Sequence, residues 1–195
     1  MYFKKNTQEN KENVIFRKPE PTDGRSIYKL VKESKPLDLN SPYCYLLVCS
    51  HFNETSVVAE SDSRIVGFIS AYVPPKKACT LFVWQVAVDA KMRKKGIAKS
   101  MLNNIILREN LKEISYIETT ITPSNTTSKS FFYSFAKGLN AECRESVYFP
   151  GHLFGEGEHE EETLFRIGPF NLNNNLNNNL NNNKIKNNIK NHENI

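Results

Sequence analysis

The stretch from Trp84 to Lys99 constrains the fold more than any other part of the chain. The β-branched, apolar run Thr80 to Val88 reads as a central strand. Gly96 then opens a helix to about Arg108, with Ile97, Met101, Leu102 and Ile105 on one face. Between them lie Lys91, Arg93, Lys94 and Lys95, with Lys99 a turn further on. A strand that feeds a helix through such a turn makes an anion site. The first N–H groups of the helix have no internal acceptor, and its dipole adds a positive end. Gly96 and the small Ala98 let a pyrophosphate approach the backbone, and Arg93 and the lysines supply charge. A plain solvated helix start is the alternative. No Gly-Lys-Ser/Thr follows and no third glycine appears, so neither the Walker nor the dinucleotide-binding pattern is present.

The flanking sequence supplies the rest of an α/β domain. Val14 to Arg17 reads as a first strand, and Thr22-Asp23 offers an N-cap to a helix carrying Ile27, Leu30 and Val31. Pro36 ends that helix, an irregular segment runs to Tyr43, and Cys44 to Ser50 forms a second helix. Ser56 to Glu60 and Ile65 to Tyr72 form a hairpin around a polar turn. Ser115 to Thr122 is a strand that Pro123 stops, and Asn125 or Thr126 caps a helix to about Lys137. Strands near Cys143 to Phe149 and Thr163 to Ile167 enclose a Gly-rich loop. The order β-α-α-β-β-β-α-β-α-β-β predicts a central mixed, mostly antiparallel sheet with helices on both faces.

One such domain is expected over residues 14–170, after a polar lead-in over residues 1–13. The Asn-rich segment 171–195 is expected to be disordered, because it has too little apolar surface to offset its ordering entropy. That segment carries Lys184, Lys186 and Lys190 against Glu193, so part of the formal net charge of +5 lies outside the domain. The remaining balance makes no case for nucleic-acid binding. Cys44, Cys49, Cys79 and Cys143 have neither knuckle nor disulfide spacing, and no metal is expected. No apolar run reaches the roughly 18 residues of a membrane span, and no signal-peptide pattern opens the chain. A cytoplasmic setting without membrane partners is expected.

Val86-Ala87-Val88-Asp89 followed by Arg93-Lys94-Lys95-Gly96-Ile97-Ala98 resembles the acetyl-CoA motif of the GNAT N-acetyltransferases, Arg/Gln-x-x-Gly-x-Gly/Ala. The resemblance implies the GNAT fold, with acetyl-CoA as cosubstrate. It implies that the backbones of Lys94 to Lys99 hold the pyrophosphate, and that the strand with Val86, Ala87 and Val88 splays to receive the pantetheine arm and thioester. Thr122 to Tyr133 resembles the second motif, in which Asn125 contacts the coenzyme. The motif's thiolate-protonating tyrosine falls on Phe132, and Tyr133 is one step of about 100° round the helix. Tyr133, or else water, is the acid.

A closer resemblance runs from Arg17 to Phe170. Arg17-Lys18-Pro19, Pro36 to Cys44, Thr80 to Val88, Ile117 to Pro123 and Gly155 to Glu160 are similar to the L-2,4-diaminobutyrate acetyltransferase family. It implies N4-acetylation of diaminobutyrate, a step toward the compatible solute ectoine, in a homodimer. Diaminobutyrate carries two ammonium groups and a carboxylate, so its pocket needs carboxylates and donors. The implied acceptor set is Asp38, Ser41, Tyr43, Trp84, Phe154, Glu156, His159 and Glu162. Asp38 also reads as a turn cap, Trp84 as core, and the acidic run as a solvated loop. Glu118 or a loop carboxylate takes the amine proton, directly or through water. Another small amine as acceptor, or a silent acetyl-CoA-binding regulator, are the rival readings.

Overall fold

The computed structural model describes residues 13–155 and 160–171. Expectations for residues 1–12 and for the tail beyond Asn171 lie outside the described residues, as do those for Glu156 and His159. The strands are β1 (Ile15–Arg17), β2 (Val57–Ser61), β3 (Arg64–Tyr72), β4 (Thr80–Val88), β5 (Tyr116–Ile121), β6 (Cys143–Phe149) and β7 (Glu162–Ile167). The helices are α1 (Gly24–Lys32), α2 (Pro42–His51), α3 (Ile97–Ile106) and α4 (Thr126–Gly138). The order of elements is the one the sequence predicts.

The strands form one sheet in the order β1-β2-β3-β4-β5-β7-β6. β4 and β5 run parallel, while β1–β2, β2–β3, β5–β7 and β6–β7 are antiparallel. The chain divides into two compact units, with β3 and β4 each running from one into the other. The first is built from the residues up to Ser70 with Gln85–Asn104, the second from Ala71–Trp84 with the residues from Ile105.

In the first unit, Ile27, Leu30 and Val31 of α1 and Tyr45, Val48 and Cys49 of α2 bury against Val58, Phe68 and Ala87. The hairpin turn between β2 and β3 places Asp62 and Ser63 at φ 50° and 57°. Two left-handed residues in a row are what a two-residue turn needs to match strand twist. At Gly67, a β-carbon would stand 2.9 Å from Met101 Cε of α3 and 3.0 Å from Ala59 Cβ, so the glycine lets helix and strand approach.

The N-cap of α1 differs from expectation. Asp23 directs its carboxylate away from the α-helix: Arg17 donates to it from both terminal nitrogens, at 2.7 and 2.9 Å. The Glu20 N–H donates to it at 2.8 Å, closing a capping box on the 3-10 turn Pro21–Asp23. That turn runs directly into α1, which therefore starts without a side-chain cap of its own.

In the second unit, Ile117 and Ile121 of β5 and Phe165 and Ile167 of β7 are buried, as are Phe132, Phe135 and Ala136 of α4. Asn125 caps α4, accepting from the Ser128 N–H at 3.1 Å.

Candidate active site

The first unit carries the strand–turn–helix segment. The Asp89 N–H donates to Val66 O at 2.9 Å, anchoring the end of β4. Asp89 then caps the following 3-10 turn, accepting from the Lys91 N–H at 2.8 Å. Arg93 donates from Nε to Val88 O at 3.1 Å, leaving the rest of its guanidinium at the surface. Lys94 and Gly96 both take left-handed backbone, φ 63° and 78°. At Gly96 a β-carbon would meet nothing within 4 Å, so the glycine serves its conformation rather than a close contact.

The first helical bond of α3 runs from the Ser100 N–H to Gly96 O at 3.0 Å. The N–H groups of Ile97, Ala98 and Lys99 thus precede the helical ladder. Left-handed turns followed by free N–H groups form a concavity suited to phosphate oxygens. Lys91, Arg93, Lys94, Lys95 and Lys99 are exposed around it. These residues fit a pyrophosphate by conformation as well as by charge.

The pairing of β4 with β5 covers only Thr80↔Tyr116, Leu81↔Ile117 and Phe82↔Glu118, while β5 stays paired with β7 to Ile121↔Thr163. From Val83 onward, β4 has no β5 partner in this ladder.

The same unit holds Asp38, Ser41 and Tyr43, all exposed. Ser41 caps α2, accepting from the Cys44 N–H at 3.3 Å. Two residues the sequence did not single out organise this segment. Gln85, 6% exposed on β4, donates from Nε2 to Asp38 O at 2.7 Å. Tyr45, 1% exposed on α2, donates to Gln85 Oε1 at 3.4 Å and accepts from the Asn40 N–H at 3.3 Å. Burial pushes the Tyr45 phenol above its ordinary value against hydrogen bonds that pull it down, so it stays a donor. The one sequence signal for Gln85 was a polar residue inside an apolar strand.

The second unit holds Glu118, Trp84, Asn125, Phe132, Tyr133, Phe154 and Glu162. Glu118 is 2% exposed. Lys77 Nζ reaches its two oxygens at 3.0 and 2.8 Å, and Arg166 donates to one of them. Phe132 is buried, whereas Tyr133 is 44% exposed and donates its hydroxyl to Glu145. The Tyr133 ring meets Phe165 edge-on at 5.6 Å. Trp84 is 46% exposed and Phe154 45%, with the latter edge-on to Phe149 at 6.4 Å. Glu162 is half-buried. Glu160 accepts from the Ser124 N–H at 3.0 Å and from its hydroxyl, tying the end of the Gly-rich loop to the start of α4. Among the described residues, no three His, Cys, Asp or Glu side chains are grouped to hold a metal ion. No described helix is long and apolar enough to cross a membrane.

Comparison with known proteins bears on this geometry. Residues 24–136 match the acetyltransferase (GNAT) family. The chain is 45% identical over 159 residues to L-2,4-diaminobutyric acid acetyltransferase of Marinococcus halophilus, covering 82% of this chain and 92% of that one. It is similar to the solved structure of diaminobutyrate acetyltransferase EctA from Paenibacillus lautus in complex with L-2,4-diaminobutyric acid and coenzyme A. That match has 42% identity and a TM-score of 0.79, over 82% of this chain and 96% of that one. Ard1 from Thermoplasma volcanium, at 15% identity and a TM-score of 0.65, shares the fold over 80% of this chain and 97% of its own.

Proposed function

Because the chain belongs to the L-2,4-diaminobutyric acid acetyltransferases of the GNAT family, we propose that it acetylates N4 of L-2,4-diaminobutyrate from acetyl-CoA. One observation carries the reading. A single compact unit holds both the phosphate-accepting turn, with Lys94 and Gly96 at φ 63° and 78°, and the Asp38 segment bonded to Gln85 on β4, the strand that leads into that turn. In this reading the product feeds ectoine synthesis, and the cytoplasm is its proposed setting.

The chemistry is direct attack of a neutral amine on the thioester. Arg93 and the backbone from Lys94 to Lys99 hold the pyrophosphate, and Asn125 and Phe132 take the second coenzyme contact. The backbone of β4 around Val86, Ala87 and Val88, beyond the last β5 partner in the ladder, orients the arm, and its N–H groups polarise the reacting carbonyl. Asp38, Ser41 and Tyr43, with Trp84, Phe154, Glu156, His159 and Glu162, receive the acceptor's ammonium groups, stem and carboxylate.

Proton transfers have two open routes. Glu118 already faces Lys77 and Arg166, and Tyr133 already donates to Glu145. Those engagements favour water over either side chain, as base and as acid respectively. For assembly, a homodimer accounts for the exposed apolar run Val147, Tyr148 and Phe149 on β6, the end strand of the sheet.

The test is acetyl-CoA-dependent thiol release with diaminobutyrate, ornithine, lysine, spermidine and no acceptor. Preference for diaminobutyrate with N4 acetylated supports the reading. Preference for spermidine reassigns the acceptor, and release with none removes the catalytic assignment.

A further inference from the structure

We infer that Gln85 and Tyr45 are positioning residues that set acceptor selectivity, by fixing the distance between the Asp38 segment and the strand that receives the thioester. The inference rests on the diaminobutyrate reading above and asks what makes that acceptor fit.

Asp38, Leu39 and Asn40 lie outside any helix or strand, and all but Asn40 are exposed. The segment's place is nonetheless set at two points by buried side chains. The Gln85 amide holds the carbonyl of residue 38 at 2.7 Å, and the Tyr45 hydroxyl holds the N–H of residue 40 at 3.3 Å. The two side chains are joined to each other at 3.4 Å. Gln85 stands between Trp84 and Val86 in the chain. The backbone of Asp38 is therefore one side chain away from the strand on which the carbonyl is to be polarised.

A buried amide satisfied in this way is costly to disturb, since either group left alone loses hydrogen bonds it cannot recover from water. The consequence is a ruler. The acceptor must reach from the carboxylates that hold its α-amino end to the thioester, and chain length decides whether it does. A misplacement of about 1 Å at a reacting centre costs on the order of 100-fold in rate. A fixed Asp38 segment therefore separates diaminobutyrate from ornithine, one methylene longer, and from 2,3-diaminopropionate, one shorter. A free segment would adapt to all three.

The experiment compares wild type with Gln85→Leu, Gln85→Glu and Tyr45→Phe in the full-length protein. kcat and KM are measured for diaminobutyrate, ornithine and diaminopropionate, and coenzyme A affinity by calorimetry. Gln85→Glu keeps the volume but sets an acceptor against Asp38 O. The expected result is KM for diaminobutyrate raised about 10-fold and the diaminobutyrate-to-ornithine preference cut by a similar factor. Coenzyme A affinity should stay within about 2-fold, since no group on the phosphate turn is touched. If Gln85→Leu does not fold, Tyr45→Phe, which removes one oxygen atom, carries the same readout.

An unchanged preference ratio in a folded variant overturns the inference. So does a loss shared equally by all acceptors and by coenzyme A, which marks a structural role alone. A wild type that ignores diaminobutyrate removes the functional reading and this inference with it.

Discussion

Glu118 and Arg166 stand opposite each other on β5 and β7, and the guanidinium donates to the buried carboxylate while lying 3.9 Å from the Tyr116 ring centre. Lys77, from the loop between β3 and β4, holds the same carboxylate at 2.8 Å. Glu118→Gln should lower the thermal midpoint, at a cost of about 1–3 kcal/mol for the partners it leaves. The shape of the pH–rate profile should survive. If Glu118 is instead the base, the acidic limb of kcat/KM moves and the rate drops by about 100-fold or more.

Tyr133→Phe separates the two candidates for the acid. Its hydroxyl is already donated to Glu145. The variant is expected to keep kcat within about 2-fold. A side chain that protonates the leaving thiolate is worth about 100- to 10,000-fold, so a loss of that size would assign the role to Tyr133.

Gly96→Ala tests conformation in the phosphate turn, because nothing stands where the new methyl group would go. At φ 78° an L residue is strained by about 1–2 kcal/mol. KM for acetyl-CoA should rise by about 10-fold, with KM for diaminobutyrate little changed. Arg93→Ala should act in the same direction through lost charge, and its effect should shrink with added salt.

Cys49 offers a check on covalent chemistry. It is fully buried, and burial, with the charge of Asp23 adding, pushes its thiol up to about 11. Cys49→Ala should retain turnover. A thiol reagent should modify the exposed Cys79 quickly and Cys49 only on unfolding. Rapid labelling of Cys49 in the folded protein, with loss of activity, would contradict this.

Acid stability should depend on Asp23. Burial pushes its carboxyl up, but hydrogen bonds from Arg17 and the Glu20 N–H, with Arg17's charge, outweigh that and hold it below 3.8. The pair is intact above that value, and its contribution is lost as pH falls through the lower folded value. Wild type should therefore lose stability more steeply than Asp23→Asn below pH 3.8, as thermal melts against pH would show. Parallel curves would mean the pair contributes nothing.

Much of the fold was legible because it depends on local pattern. β4 occupies the predicted Thr80 to Val88, and the left-handed pair Asp62-Ser63 falls inside the predicted turn. Of the two caps the sequence offered for α4, Asn125 is the one that closes it. What escaped were partners that no helical or strand periodicity links. Asp23 was read as a cap of α1, yet Arg17 takes its carboxylate across a strand end. Glu118 was read as a candidate base without partners being assigned to it, and its cations come from 41 and 48 residues away. Gln85 went unnoticed because its hydrogen bond joins residues 47 apart. Periodicity carries no information about such pairs, since sheet order and loop placement bring them together.

Lys94 keeps left-handed backbone at φ 63° although it has a β-carbon. Glycine there would relieve about 1 kcal/mol of backbone strain in the native state while giving the unfolded chain more freedom. The two effects nearly cancel for the fold, so overall stability gives little reason to prefer either residue. They do not cancel for the turn itself. The lysine β-carbon disfavours the left-handed basin, so Lys94 stays there only because the surrounding turn holds it. A change that loosens its neighbours would therefore let Lys94 swing back to negative φ, and the turn would lose its shape there first.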